Sequence, residues 1–94
     1  MIKHVVMFQF APEYQADLAE AKLKLEALPS RISELKGMEV GLNFLPGDRA
    51  MDLVLIAQVE DEAGLEAYRV HPAHQEVVDF IKTRATLSKA VDYR

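Results

Sequence analysis

The sequence predicts one α+β domain over residues 1–94, with the ferredoxin-like element order β-α-β-β-α-α-β and a four-stranded antiparallel sheet. Three observations support this prediction. Segments with the two-residue period of strands alternate with segments of helical period. A chain of 94 residues is long enough for one domain, and it contains no internal repeat or linker. Two strand segments are apolar on both sides, which is typical of a sheet that is covered on both faces.

Four segments carry the alternation of a strand. In residues 2–10 the even positions place His4, Val6 and Phe8 on one face. The turn signal Pro46-Gly47-Asp48 separates the second strand from the third. The predicted strands cover residues 2–10, 38–45, 52–60 and 86–93.

Three segments have helical period. Residues 15–28 carry an amphipathic stripe that should end at Pro29, because proline cannot donate the helical hydrogen bond. Asp61 is a suitable N-cap for a second helix, which should end near Val70. The pair His71-Pro72 then breaks the helix, because a residue before proline disfavours helical angles, and the proline suits the first turn of a third helix.

The sheet face that points away from the helices is also apolar. Helices can cover only the side on which they pack, and the other side carries Val5, Met7, Val54 and Ile56. An apolar face of this kind needs a cover, and a second copy of the same sheet is the simplest one. We therefore expect a homodimer in which two sheets pack face to face and form a barrel.

Charge and composition exclude several classes of protein. The net charge is −4, from 15 acidic and 11 basic residues that are scattered along the chain, whereas nucleic acids and anionic membranes require basic patches. There is no cysteine, which excludes disulfides and thiolate chemistry. No segment approaches ~18 consecutive apolar residues, and the start does not match a secretory signal. We expect a cytoplasmic protein with neither a nucleic acid nor a membrane as partner.

The candidate chemical groups are three histidines and one tyrosine. His74 precedes Val77, Val78 and Ile81 at helical spacing, which places it on the buried stripe of the third helix. An imidazole titrates near physiological pH, so His74 beside Tyr68 is a possible acid–base pair. The competing interpretation is a core histidine that is tied to Tyr68 or to a backbone carbonyl.

Metal and cofactor sites are not indicated. His71 and His74 have a spacing that could bring two imidazoles to one metal ion, but Pro72 should turn His71 away and no carboxylate supports the pair. The four glycines form no phosphate-binding pattern, and no serine lies in a nucleophile-elbow context. We therefore expect no metal and no cofactor.

Segments along the whole chain, in a consistent order, carry a resemblance to a known family. They are residues 1–6, 52–55, 65–74 and 91–93, and the motif Tyr68-x-x-His71-Pro72-x-His74 is the most specific part. The sequence resembles the stress-responsive A/B barrel domain family, also called Dabb. The resemblance implies a ferredoxin-like fold and a homodimer closed into a barrel.

The same resemblance implies roles for individual residues. In a cofactor-independent polyketide cyclase of this family, the histidine that matches His74 is the general base and the tyrosine that matches Tyr68 assists it. The early histidine that matches His4 lines the same pocket. Where that cyclase has a further pocket histidine, this chain has Leu53. Its first helix is also rich in leucine and alanine where the cyclase has aromatic residues, so the resemblance implies a different ligand.

Residues and resemblance together favour a homodimer that binds a small apolar or ketone-like molecule. The favoured hypothesis adds cofactor-free acid–base chemistry of the cyclase, lyase or isomerase type, with His74 and Tyr68 as catalytic residues. Two alternatives stay open: a non-catalytic binding or structural dimer, and a cofactor-free monooxygenase of the antibiotic-biosynthesis type. The expected substrate-binding residues are His4, His71, Val6, Phe8 and Leu55.

Overall fold

The sheet of the computed structural model, which describes residues 1–94, has four strands in the order β2-β3-β1-β4. All three neighbouring pairs are antiparallel. The strands are β1 (Ile2–Phe10), β2 (Gly37–Leu42), β3 (Leu53–Val59) and β4 (Ala85–Tyr93). Together with three helices on one face, this order confirms the predicted ferredoxin-like α+β fold.

Three α-helices connect the strands. They are α1 (Leu18–Glu26), α2 (Glu62–Val70) and α3 (Pro72–Lys82). The Asp61 side chain accepts a hydrogen bond from the Gly64 amide at 2.8 Å, which confirms the predicted N-cap of α2. None of these helices is long and apolar enough to cross a membrane.

The first helical region differs from the prediction of one helix over residues 15–28. A 3₁₀ helix (Pro12–Asp17) precedes α1, and a 3₁₀ turn (Leu28–Ser30) follows it. The Tyr14 amide donates to the Ala11 carbonyl, which is the tighter hydrogen bond of a 3₁₀ helix. Pro29 accounts for the early end of α1, because it cannot donate the next helical hydrogen bond.

The second strand is shorter than the predicted segment 38–45. After Leu42 only the Asn43 amide still pairs, with the Asp52 carbonyl at 2.9 Å. The Asn43 side chain then donates to the Leu45 carbonyl at 2.9 Å and bends the chain away from the sheet. Phe44 is consequently 91% exposed, although its place in the alternation predicted a strand residue.

The core lies between the helices and one face of the sheet. Strands β1 and β3 alternate there as predicted, and Leu53, Leu55, Ala57 and Val59 of β3 are all buried. His4 and Phe8 share this face of β1, yet both are only partly buried. The helical side contributes most of the remaining core, namely Ala21, Leu25, Leu28, Ile32, Leu35, Tyr68, Ala73, Val77 and Ile81.

The opposite face of the sheet has no cover within the chain. Val5, Met7, Val54 and Ile56 pair across β1 and β3 there, and Met7 is 38% exposed. Strand β4 adds Leu87, Val91 and Tyr93 to the same face, which are 41%, 59% and 48% exposed, with Lys89 between them opposite Met7. Contiguous apolar surface of this kind is typical of an interface.

Strand β4 is also uncovered on the helix side. Ser88 pairs with Phe8, Ala90 with Val6 and Asp92 with His4, so these three β4 residues face the helices. All three are nevertheless exposed. The helices therefore cover β2, β3 and β1 but leave a gap above β4, and the candidate site lies in this gap.

Candidate functional site

The corner between α2 and α3 is set by a proline. Pro72 has no amide hydrogen, so α2 ends at Val70. The Ala73 amide, which would otherwise donate to the Arg69 carbonyl, donates instead to Nδ1 of His71 at 3.0 Å. The Arg69 carbonyl is left without a backbone donor at the end of the helix.

Two side chains from α3 occupy that carbonyl. His74 Nδ1 lies 2.9 Å from the Arg69 oxygen, and Gln75 Nε2 donates to the same oxygen at 2.7 Å. A carbonyl can only accept, so Nδ1 of His74 carries the hydrogen. In the neutral ring Nε2 then has a free lone pair, and it can act as a base or as a hydrogen-bond acceptor.

The surroundings keep this imidazole neutral. Burial lowers the pKa of His74, and the hydrogen bond to the Arg69 carbonyl opposes that effect in part. His74 also lies in the first turn of α3, where the helix dipole disfavours a cation. The neutral form of His74 is therefore favoured at neutral pH, and it persists to a lower pH than the neutral form of an ordinary imidazole does.

Tyr68 packs directly against the imidazole. The two ring centroids are 4.3 Å apart at 44°, and the tyrosine is 1% exposed. Its hydroxyl is buried and has no hydrogen-bond partner in the protein. Burial raises the pKa of Tyr68 to about 12, so the phenol keeps its hydrogen and can donate it. A buried donor without a partner is costly in a folded protein and is therefore a functional candidate.

His4 completes a cluster of three rings. Its centroid lies 6.2 Å from that of Tyr68 in an edge-on arrangement. Nδ1 of His4 contacts Oδ1 of Asp92, the residue directly opposite on β4. The carboxylate accepts this hydrogen bond, which orients the imidazole and leaves Nε2 on its other side. Asp92 was not among the predicted site residues, although the antiparallel register of β1 and β4 accounts for the contact.

A largely apolar cavity of about 360 Å³ opens beside this cluster. Its size lies within the roughly 300–1,000 Å³ that is usual for small-molecule sites. Strand β4 forms one wall and α3 the other, with Leu25 and Leu55 between them. The lining residues are Phe8, Leu25, Leu55, His74, Val77, Val78, Ile81, Lys82, Ala85, Thr86, Leu87 and Ser88.

The structure distributes the expected site residues over three places. His74, Phe8 and Leu55 line the cavity. Tyr68 and His4 lie beside His74 in the ring cluster. Val6 belongs to the buried core, and His71 uses its side chain as the N-cap of α3. No three His, Cys, Asp or Glu side chains converge as they would around a metal ion.

The β4 lining and Lys82 were not anticipated from the sequence. Residues 85–88 of β4 belong to the wall because β1 and β4 are adjacent and their register shifts after Gln9. Lys82 belongs to it because α3 extends one turn beyond Val78, along the same side of the helix. Counting forward from His74 in steps of four gives Val78 and then Lys82, and this spacing is the signal that could have predicted Lys82.

The fold and cavity define a ferredoxin-like domain with a small-molecule-sized pocket between its helices and its last strand. The family model described as "Stress responsive A/B Barrel Domain" matches residues 2–94. The chain therefore belongs to the stress-responsive A/B barrel domain family. No curated protein matches the sequence significantly.

Solved structures share the fold across nearly the whole chain. A dimeric ferredoxin-like protein from Bacteroides fragilis is 28% identical, with a TM-score of 0.89 and coverage of 99% of this chain and 94% of its own. A dimeric ferredoxin-like protein from Thermobifida fusca is 26% identical, with a TM-score of 0.82 and coverage of 98% and 88%. Hydroxynitrile lyase from Passiflora edulis has a TM-score of 0.84 at 15% identity and coverage of 98% and 90%.

The orphan hydroxyl of Tyr68 leads to a prediction about stability. Removing an unsatisfied buried hydroxyl relieves its desolvation cost, so Tyr68→Phe should raise the free energy of unfolding by about 1 kcal/mol. Urea denaturation followed by circular dichroism measures the change. Tyr14→Phe, at an exposed position, is the matched control and should leave stability unchanged. A clear loss of stability in Tyr68→Phe would mean that the hydroxyl has a partner.

The lowered pKa of His74 predicts a dependence of stability on pH. As the pH falls below about 6.5, the unfolded imidazole gains a proton while the folded one stays neutral, so the free energy of unfolding should decrease. The decrease ends once the pH has passed through the lower, folded pKa. Urea denaturation at several pH values should therefore give a steeper loss on acidification for the wild type than for His74→Gln. Equal slopes would show that the folded pKa is not lowered.

Proposed function

We propose that this protein is a cytoplasmic homodimer that binds a small apolar carbonyl compound in the cavity of each subunit. His74 acts there as a cofactor-independent base, and Tyr68 acts as a hydrogen-bond donor. One observation carries the proposal. The hydrogen bond to Arg69 occupies Nδ1 of His74 and leaves Nε2 free, in a residue that lines an apolar cavity.

The reaction needs only groups that the site contains. Nε2 of His74 removes a proton from the carbon next to the ligand carbonyl, the electron pair of that C–H bond forms the C=C bond of the enolate, and the carbonyl π pair moves to the oxygen. The Tyr68 hydroxyl is buried beside His74 rather than exposed in the cavity wall, so the ligand must displace neighbouring side chains to reach it. The hydroxyl then donates to the developing enolate oxygen, which would give the orphan donor its missing partner. The proton returns to carbon, or the enolate attacks an acceptor, which yields isomerase-type or cyclase-type chemistry.

His4 supports the ligand in this scheme. Asp92 orients the ring, and the edge-on contact with Tyr68 brings the imidazole to the same cluster. Phe8 and Leu55 line the cavity and supply apolar surface, whereas Val6, on the same side of the sheet, supports them from the buried core. His71 acts indirectly, because its Nδ1 is engaged with the Ala73 amide and so fixes the start of α3.

Three observations support the homodimer. The open sheet face carries apolar side chains on β3, β1 and β4, interrupted by Lys89 opposite Met7. The Bacteroides fragilis and Thermobifida fusca proteins, which share the fold at 28% and 26% identity, are both described as dimeric. The small size of the domain limits how much apolar surface one subunit can bury alone.

Sedimentation velocity at micromolar concentration tests the dimer. The wild type should sediment as a dimer, whereas Ile56→Lys should sediment as a monomer because it places an unpaired charge in the centre of the open face. Leu23→Lys, at a 67% exposed position on α1, is the matched control and should stay dimeric. A stably folded wild-type monomer would contradict the proposed assembly.

Hydrogen–deuterium exchange of ketones tests the base without knowledge of the natural substrate. Proton NMR in D₂O should show that the protein accelerates the loss of α-proton signals of at least one of 2-heptanone, cyclohexanone and acetophenone. His74→Gln should reduce the rate by about 100-fold or more, because it removes the general base while its amide can still donate to Arg69. Tyr68→Phe should reduce it by roughly tenfold to 100-fold.

Two controls accompany the exchange experiment. Tyr14→Phe should exchange at the wild-type rate, and circular dichroism should show that every variant is folded. Exchange at the wild-type rate in both His74→Gln and Tyr68→Phe would contradict the catalytic part of the proposal. The cofactor-free monooxygenase stays a prediction. A proton-transfer reaction gives His74 and Tyr68 their roles without a reaction with oxygen.

A non-catalytic binding dimer is the second candidate function. The observation in its favour is the hydrogen bond to Arg69, which also gives His74 a purely structural task at the end of α2. Against a purely structural task, Gln75 already donates to the same carbonyl at the shorter distance of 2.7 Å. Absence of accelerated exchange, combined with binding of ketones in the cavity, would select this second function.

A further inference from the structure

The cavity wall contains one permanent charge. Lys82, in the last turn of α3, lines the cavity, and no aspartate or glutamate does. His74 is the other titratable residue of the wall, and burial lowers its pKa so that the ring is neutral. The net electrostatic character of the cavity is therefore positive, although the whole chain has a net charge of −4.

The ammonium group of Lys82 has no acidic partner, unlike its cationic neighbours. Arg84 Nε lies 2.8 Å from Asp17 Oδ2, and Lys24 Nζ lies 3.6 Å from Glu20 Oε2. Lys82 forms neither an ion pair nor a hydrogen bond within the protein. Its place at the C-terminal end of a helix is favourable for a cation but leaves all three of its donors free.

A second free donor lies on the same cavity. Ser88 lines it from β4, opposite Phe8, and its hydroxyl has no partner in the protein. The neighbouring Thr86 differs, because its hydroxyl donates to the Gln9 carbonyl at 3.3 Å. An ammonium and a hydroxyl that are both free match the acceptor oxygens of a carboxylate.

The spacing along α3 separates the charge from the base. His74 and Lys82 are eight positions apart on the helix, which corresponds to about 12 Å at 1.5 Å per residue. The wall between them is apolar and is formed by Val77, Val78 and Ile81. A ligand that reaches both ends must therefore have a hydrocarbon segment between its two polar groups.

We infer that the cavity binds an amphipathic carboxylic acid, whose carboxylate interacts with Lys82 and Ser88 and whose hydrocarbon segment lies along α3. The further statement that a substrate places a carbonyl at His74 rests on the proposed function, and it narrows the substrate class to keto acids. Binding of the carboxylate by Lys82 and Ser88 does not depend on catalysis, so it can be tested with unreactive ligands.

Titration calorimetry with octanoate and 1-octanol, which have the same chain length, tests whether Lys82 and Ser88 bind a carboxylate in the full-length protein. Octanoate should bind about tenfold more tightly than 1-octanol, because only the acid gains the charged contact. Added salt should weaken the binding of octanoate and leave that of 1-octanol unchanged. Equal affinity for the two ligands would overturn the inference.

Matched variants assign the effect to residues. Lys82→Met keeps an unbranched side chain without the charge, and it should weaken octanoate about tenfold while 1-octanol binds as before. Ser88→Ala should weaken octanoate about threefold. Lys36→Met makes the same charge change at a position outside this cavity and should have no effect. An equal loss in Lys36→Met and Lys82→Met would mean that only the overall charge matters.

Methyl NMR shows where the acid binds. Octanoate should shift the methyl signals of Val78 and Ile81, which line the cavity from α3, and not those of Val54 and Ile56 on the open sheet face. Shifts confined to Val54 and Ile56 would overturn the inference. The two proposals fail separately, because ketone exchange requires no carboxylate. Ketone exchange without octanoate binding would overturn the carboxylate site alone, and octanoate binding without ketone exchange would overturn the base alone.

Discussion

The missing amide hydrogen of Pro72 is the constraint on which the geometry of the site depends. It ends α2, diverts the Ala73 amide to the His71 ring and frees the Arg69 carbonyl to accept from α3. That carbonyl determines which nitrogen of His74 carries hydrogen. A backbone property of one residue therefore determines the protonation pattern of a side chain two positions later, and the tyrosine of the same motif is brought against it by the same corner.

Much of the fold could be predicted because the strands of this sheet alternate clearly. The period of β1 and β3 placed their residues on the correct faces, and Pro72 marked the start of α3. The split of the first helical region could not be predicted in this way. A 3₁₀ helix and an α-helix can present the same apolar stripe over one or two turns, so the periodicity does not distinguish them. Phe44 was wrongly predicted to lie in a strand for a related reason, because alternation alone does not show where the pairing of two strands ends.

The site was predictable in part. Proximity of Tyr68 and His74 follows from a tight helix corner, whereas the His4 contact with Asp92 requires the strand register. The cavity itself could not be derived from any one segment. It exists because side chains from five elements fail to fill the space above β4, among them Leu25 of α1 and Ser88 of β4. Empty volume depends on the packing of all its neighbours together, which no local pattern records.

The Arg69 carbonyl accepts hydrogen bonds from both His74 and Gln75, which affects how residues of this site can change during evolution. Because Gln75 holds the same oxygen, the corner keeps one hydrogen bond when the imidazole is replaced or turns away. Loss of the imidazole is therefore separated from loss of the scaffold. A lineage carrying this corner can change the residue at position 74 while each intermediate protein still folds.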